Sequence, residues 1–561
     1  MTRKLVECVP NFSEGRNMQI IKQITDAIES VEGVKLLDVD PGKDTNRTVV
    51  TFVGEPEPVA EAAYRAIKKA SEVIDMSKHK GEHPRFGATD VCPFIPISGV
   101  TMEECVEIAR KVGERVGNDL SIPVYFYEYA ASEPKRKNLA SVRAGEYEGI
   151  MEKITKPEWK PDFGPAKFNA KSGNIAISAR DFLVAYNVNL NTTSVRRANS
   201  IAFDVRENGR IKRDGDPITG HVVKDEKGNA VRVPGTLKAV KAIGWFIEEY
   251  GVAQISMNLT NITITPVHVA FDEVVKSAQS RGIRVTGSEL VGLIPLKALT
   301  DAGKYFLEKQ QRSTGISESE LVKIAGKSLG LDDLKPFDPQ KRVIEYLLND
   351  PVESRLVSMD LKAFADETAS ESAAPGGGSI SAYVGALGIS LATMVANLSS
   401  HKRGWDARWE EFSDWAAQGQ AIKDQLIKLV DEDTRAFNAI MSGFALPKGN
   451  DAEKAIRKQA VQAATKYAIE VPFKVMELSL QSLPIIKAMA ETGNPNSVTD
   501  AGVGALCART AVLGAFLNVK VNAGGLDDKA YAADMVNLGE ALVAEANRLE
   551  QEIWAVVNGK I

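Results

Sequence analysis

The chain has 561 residues, 44% of them hydrophobic and 25% charged, with a formal net charge of -5. That length suggests about three or four domains, and the composition is that of an ordinary globular protein. The slight acidic excess excludes the global basic field of a nucleic-acid binder, so an anionic small substrate would need a local cluster of cations. The cysteines, Cys8, Cys92, Cys105 and Cys507, are too scattered for a disulfide framework and form no C-x-x-C pair. A reducing compartment fits them. The first residues, "MTRKLVECVPNF", lack the apolar core of a signal peptide, and the expected location is the cytoplasm.

In chain order, "KLVECV" reads as a short strand and "MQIIKQITDAIESV" has the apolar spacing of a helix. "VKLLDVD" and "RTVVTFVG" read as strands separated by the turn-rich "PGKDTN". "EPVAEAAYRAIKKASEVI" and "TMEECVEIARKVGERVG" are amphipathic helices, and "IPVYFYEYA" is a strand. This β-α-β-β-α-β order predicts one sheet with packed helices over residues 1–180. A loop rich in Pro, Gly and Lys covers 156–174.

A second α/β lobe is predicted over 181–315. "DFLVAYNVNLN" and "AQISMNLTNI" read as strands, whereas "VRRANSIAFDVRE", "LKAVKAIGWFIEEYG" and "HVAFDEVVKSAQSRG" read as helices. Residues 207–235 look like an exposed hairpin, and 316–350 like a charged helical connector. From 351 to 561 the patterns are long, Ala-rich and helical. The predicted fold class is therefore multidomain, two α/β (α+β sandwich) lobes followed by an all-α helical bundle. "SAYVGALGISLATMVANLSS", 381–400, has the length of a membrane span and no charge. Its small residues favour a closely packed helix inside the bundle.

The segment "SKHKGEHPRFG", 77–87, spells H-x-x-E-H with His79, Glu82 and His83, the pattern of an inverted zinc protease. A zinc site of that kind needs both histidines on one helical face. Gly81 weakens a helix there, and Pro84 drives His83 out of the α region. The segment is predicted to be a loop carrying Lys78, His79, Lys80, Glu82, His83 and Arg85, where lysine and arginine suit carboxylates. A histidine among them can serve as acid and base near neutral pH. A solvated run of charge is the plainer alternative.

"LVECVPNFSEGRN", "LLDVDPGKDTNRTVVTFVG" and "IDMSKHKGEHPRFGATDVCPFIPI" resemble glutamate formiminotransferases. "AAPGGGSISA" and "LVDEDTRAF" resemble formiminotetrahydrofolate cyclodeaminases, and the order matches the fused family of histidine breakdown. The resemblance implies transfer of a formimino group from N-formimino-L-glutamate to the 5-nitrogen of tetrahydrofolate. Ring closure to 5,10-methenyltetrahydrofolate with loss of ammonia follows. It places the acid/base role of transfer on His83, with Asp40 as acidic partner, and that of cyclisation on Asp433. It also makes the segment Gly164, Pro165, Ala166, Lys167, Phe168, Asn169, Ala170, Lys171, Ser172 and Gly173 the folate-binding loop, Lys167 and Lys171 facing the glutamate tail.

Asp431, Glu432 and Asp433 crowd negative charge on one turn, which would raise a carboxyl pKa. "APGGGS", 374–379, lacks the P-loop lysine and the dinucleotide glycine spacing. Its glycines would expose N–H groups to an anion or else make a tight turn between helices. The implied co-substrate is tetrahydrofolate, with or without a polyglutamate tail, and neither metal nor nucleotide is expected. The implied assembly is a large ring-like homo-oligomer, an octamer in the expectation, without nucleic acid or membrane. A methenyltetrahydrofolate cyclohydrolase or a non-catalytic assembly module stand as alternatives for the bundle.

Overall fold

The computed structural model describes residues 4–42, 46–81, 85–216, 219–348 and 356–561. Packing divides the chain into two compact units, one of residues 1–299 with 329–349 and the other of 300–328 with 350–561. The expected connector 316–350 is thus shared between them.

The first unit holds two sheets. In the larger, Leu5–Cys8 and Asn11–Phe12 act as one interrupted strand between Arg47–Gly54 and Thr89–Ser98, all antiparallel. Pro10 marks the break, since it has no N–H to give the ladder. Val34–Gly42 adds outside Arg47–Gly54. On the other flank Ile175–Ala179 joins Thr89–Ser98 in parallel, and Val124–Glu128 forms the edge. Helices Met18–Glu29, Pro56–Val73 and Met102–Leu120 cover one face. Their Ile24, Ile28, Ala62, Ile67, Ile108 and Val112 pack on Val6, Cys8, Phe52, Cys92, Phe94 and Ile177. The opposite face carries Asn11, Arg47, Val91, Pro93 and Tyr127 into an open cleft.

The second sheet is antiparallel, in the order Val240–Ile247, Val252–Leu259, Val184–Leu190, Val285–Val291. Helices Val195–Val205 and Val267–Gln279 pack on one side of it. The predicted helix "LKAVKAIGWFIEEYG" is instead the edge strand Val240–Ile247 with its turn, paired residue for residue with Val252–Leu259. Its burial alternates from Val240 to Trp245 with period two. Gly244 lets the helix approach, because a Cβ there would stand 2.3 Å from the Asn199 nitrogen. The hairpin is real but slight, with Arg210–Ile211 on Arg232–Val233 and Arg213–Asp214 on His221–Val222.

The second unit is a bundle of long helices, Gly377–Ser400, Trp409–Ala445, Asp451–Thr492, Val498–Gly524 and Lys529–Asn558. Among the described residues from 356 onward there is no strand. Two helices, Gly377–Ser400 and Pro495–Gly524, are long and apolar enough to cross a membrane. Within the bundle they pack closely on each other: a Cβ on Gly388 would stand 2.8 Å from the Gly504 oxygen, and the reverse holds at the same distance. Large side chains are excluded at such a crossing.

Candidate functional site

The residues singled out by sequence fall at two places in the first unit and one in the bundle. His83 lies outside the described residues, as do Glu82 and Pro84. The base of their loop is defined. The helix Pro56–Val73 ends before His79, which stands in a turn rather than on a helical face. His79 shares a 2.8 Å hydrogen bond between its Nε2 and the Asn46 carbonyl. Burial lowers the His79 pKa. Asn46, at φ +48°, also donates to the Lys80 carbonyl at 2.9 Å and accepts from Gly15 N at 3.0 Å. Asparagine tolerates that left-handed backbone better than most residues. Asn46, just ahead of strand Arg47–Gly54, thereby holds His79 and Lys80.

The other end of the loop packs on the glycine-rich segment. Gly87 bridges to Gly173, Ala88 N donates to the Ser172 carbonyl at 2.8 Å, and Met76 N to the Lys171 carbonyl at 2.8 Å. Neither Gly87 nor Gly173 has room for a Cβ. Phe168 lies against Tyr147, whose hydroxyl donates to the Ala170 carbonyl at 2.6 Å. Pro165, Ala166 and Lys167 are exposed, while Gly164 at φ +79° presses on the Ile122 carbonyl. Lys171 donates to the Glu72 carbonyl at 2.9 Å. Asp40 is exposed near the end of strand Val34–Gly42, opposite Val49.

Sequence reasoning missed what joins this loop to the cleft. Asp90 is 1% exposed. It accepts from Phe86 N at 3.0 Å, binds Arg143, and lies 3.9 Å from Arg47. Burial pushes its carboxyl pKa up against the pull of both arginines. Arg47 and Arg143 in turn line a cleft of about 1050 Å³ with Lys137, Arg180 and Lys241, while Glu128 and Asp181 are its acidic side chains. Glu128 sits at φ +52°, and burial raises its pKa. Such strain in a non-glycine residue at a cleft wall is typical of functional positions. The available signal was an acid heading an apolar strand, "TDVCPFIPI", and an arginine heading another, "RTVVTFVG".

In the bundle, Asp433 of helix Trp409–Ala445 meets the start of helix Gly377–Ser400. Its carboxylate accepts from Ser379 N at 2.8 Å and Ser379 Oγ at 2.9 Å. Burial raises its pKa and these two bonds oppose the rise. The crowding expected from Asp431 and Glu432 is not the cause. Asp431 accepts from Leu356 N at 2.7 Å, and Glu432 is engaged by Arg435 and Tyr467. Three successive helical residues point three ways. Gly378 carries no Cβ, which would lie 2.1 Å from Asp433 Oδ1. The anion at this glycine turn is the protein's own carboxylate. A small cavity of about 180 Å³ opens beside it, lined by Gly376, Gly377, Thr434, Phe437, Asn518 and Asn522 among others.

Comparison with known proteins accounts for both halves. Residues 5–180 match the family described as formiminotransferase domain, N-terminal subdomain, and 185–349 the formiminotransferase domain. Residues 360–538 match formiminotransferase-cyclodeaminase. The formimidoyltransferase-cyclodeaminase of Mus musculus is 43% identical over 97% of both chains. The chain belongs to the formimidoyltransferase-cyclodeaminase family. The family's two halves also have separate relatives. A glutamate formimidoyltransferase of Thermoplasma acidophilum is 44% identical over 57% of this chain and 98% of its own. A methenyltetrahydrofolate cyclohydrolase of Methylorubrum extorquens is 35% identical over 36% of this chain and 97% of its own.

Proposed function

We infer that one polypeptide carries out two consecutive steps on a folate. The chain is a bifunctional enzyme, a glutamate formimidoyltransferase joined to a formimidoyltetrahydrofolate cyclodeaminase. Tetrahydrofolate is a substrate, and the formimino group comes from N-formimino-L-glutamate. The observation carrying the assignment is whole-length identity to bifunctional relatives together with a separate acid/base candidate in each unit.

Formimino-glutamate is a dicarboxylate, and the cleft presents more cations than acids, which supports binding it there. As the folate nitrogen attacks the amidine carbon it must lose a proton, and the departing glutamate nitrogen must gain one. A single imidazole can do both, and His83 takes that role, Asp40 supporting its charged form. The loop from Gly164 to Gly173, packed on the two ends of the His83 segment, takes the folate, and Lys167 with its free reach takes the tail. In the bundle Asp433 shuttles the proton as the 10-nitrogen closes on the formimino carbon and ammonia leaves. A carboxyl held above its usual range by burial is suited to this work. Neither step needs a metal. The chain is read as a homo-oligomer, a ring of eight; the exposed Leu387, Leu398, Val503, Leu517 and Val521 on the apolar helices support self-association but set no subunit number.

The test is one assay with formimino-glutamate and tetrahydrofolate, following methenyl product and ammonia. His83→Ala should lower transfer by roughly 100- to 10,000-fold and spare ring closure on supplied formiminotetrahydrofolate. Asp433→Asn should do the reverse, so that formiminotetrahydrofolate accumulates. Accumulation of formiminotetrahydrofolate without ammonia, together with hydrolysis of supplied methenyltetrahydrofolate, would instead favour the cyclohydrolase reading that the Methylorubrum relative suggests.

A further inference from the structure

We propose that the groove under the hairpin binds a small organic polyanion, a molecule with two or more closely spaced phosphate or carboxylate groups. The groove has a volume of about 580 Å³, within the range of small-molecule sites. Helix Val195–Val205 supplies one wall at helical spacing, through Arg196, Asn199, Ser200 and Phe203, and Arg206 follows its end. The hairpin strands supply Arg210, Ile211, Arg213 and Arg232. Among the described residues, five guanidiniums line one concavity and no carboxylate does.

Apart from Arg210, their partners among the described residues orient these groups without neutralising them. Arg206 donates to the Gly209 carbonyl at 3.0 Å and lies 4.0 Å over the Phe203 ring. Arg213 donates to the Gly220 carbonyl at 2.8 Å, and Arg232 donates twice to the Asn208 carbonyl at 3.3 Å. Arg210 alone pairs with an acid, Asp204, which also holds Arg281. Burial lowers the Arg206 pKa, and the charge of Arg232 lowers it further. The groove therefore holds like charges together. An anion would relieve that repulsion and meet planar forks shaped for phosphate or carboxylate. Phe203 and Ile211 offer the apolar surface that an organic ligand would cover. None of these residues lines the cleft between the sheets, so the site is independent of the two-step reaction.

Calorimetric titration of the full-length protein at physiological salt tests this, with tripolyphosphate and citrate as probes. At least one should bind saturably, and the Arg213→Gln, Arg232→Gln double variant should bind it at least tenfold more weakly. The Arg213→Lys, Arg232→Lys variant keeps the charge, loses the fork and should bind at least threefold more weakly than the wild type. Tighter binding of tripolyphosphate would point to a phosphorylated ligand, and tighter binding of citrate to a polycarboxylate. No saturable binding of either probe, or equal affinity in the wild type and both variants, would overturn the proposal.

Discussion

A buried carboxylate in the first strand gives the protein a pH dependence that catalysis does not explain. Glu7 is 3% exposed, and burial pushes its pKa from the ordinary 4.5 up to about 7, against the pull of Arg180. The folded protein therefore holds this proton more tightly than the unfolded chain. Between about pH 4.5 and 7 it binds more protons than the unfolded state, so stability falls as pH rises through that window. The loss is up to about 3 kcal/mol. Glu7→Gln should flatten the decline, read as denaturation midpoints across the same range; an undiminished slope would assign the titration elsewhere. At this scale the sequence is partly legible. The family motifs name Asp433 but not the serine that holds it, and the His83 loop but not the asparagine at its base. Ser379 is 54 positions from Asp433, and Asn46 is 34 from Lys80. No spacing rule reaches across such separations, because the pairing is decided by how distant elements cross.

Among elements, the first turn of helix Gly377–Ser400 shows a glycine serving a carboxylate. Gly378→Ala would set a methyl 2.1 Å from Asp433 Oδ1. The aspartate can swing away, so thermal stability should change little. Cyclodeamination, measured as ammonia release, should fall at least tenfold while formimino transfer stays normal. A variant with full deaminase activity would separate Gly378 from the work of Asp433. Most elements were legible because their burial period is long and regular. The failure at "LKAVKAIGWFIEEYG" has a specific source. Ile243, Trp245 and Phe246 are apolar yet exposed on an edge strand, so the apolar pattern no longer tracks the buried face. Alternation read from Val240, Ala242 and Gly244 alone would have favoured a strand.

For the whole molecule, the chain passes between the two units at 299/300, 328/329 and 349/350. No single cut respects this. Residues 329–349 serve the α/β unit, where Ile294 bridges Val343 and Ser288 Oγ donates to the Leu329 carbonyl at 2.7 Å. Residues 300–328 serve the bundle, where Thr314 N donates to Ser413 Oγ at 3.0 Å and the Gly315 carbonyl accepts from Asn397 and Gln420. A fragment of residues 350–561 should therefore melt below the bundle of the intact chain, and a peptide of residues 300–328 should raise its melting temperature. Unchanged melting with the peptide would show that this segment adds nothing to the bundle. Composition changes near 350 made one boundary legible in the sequence; the double exchange was not, because helix Glu318–Leu329 has the same amphipathic pattern whichever core receives it.

That exchange also sets an order of events during synthesis. Ser413 follows Thr314 by 99 residues, a delay of roughly 5–20 s at about 5–20 residues per second. Through that interval the α/β unit can close around 329–349 as they emerge, with 300–328 looped out of it. Thr314 and Gly315, whose partners Asn397, Ser413 and Gln420 are made later, wait on the ribosome for helices that do not yet exist. A chaperone acting on the nascent chain would find its uncommitted segment there.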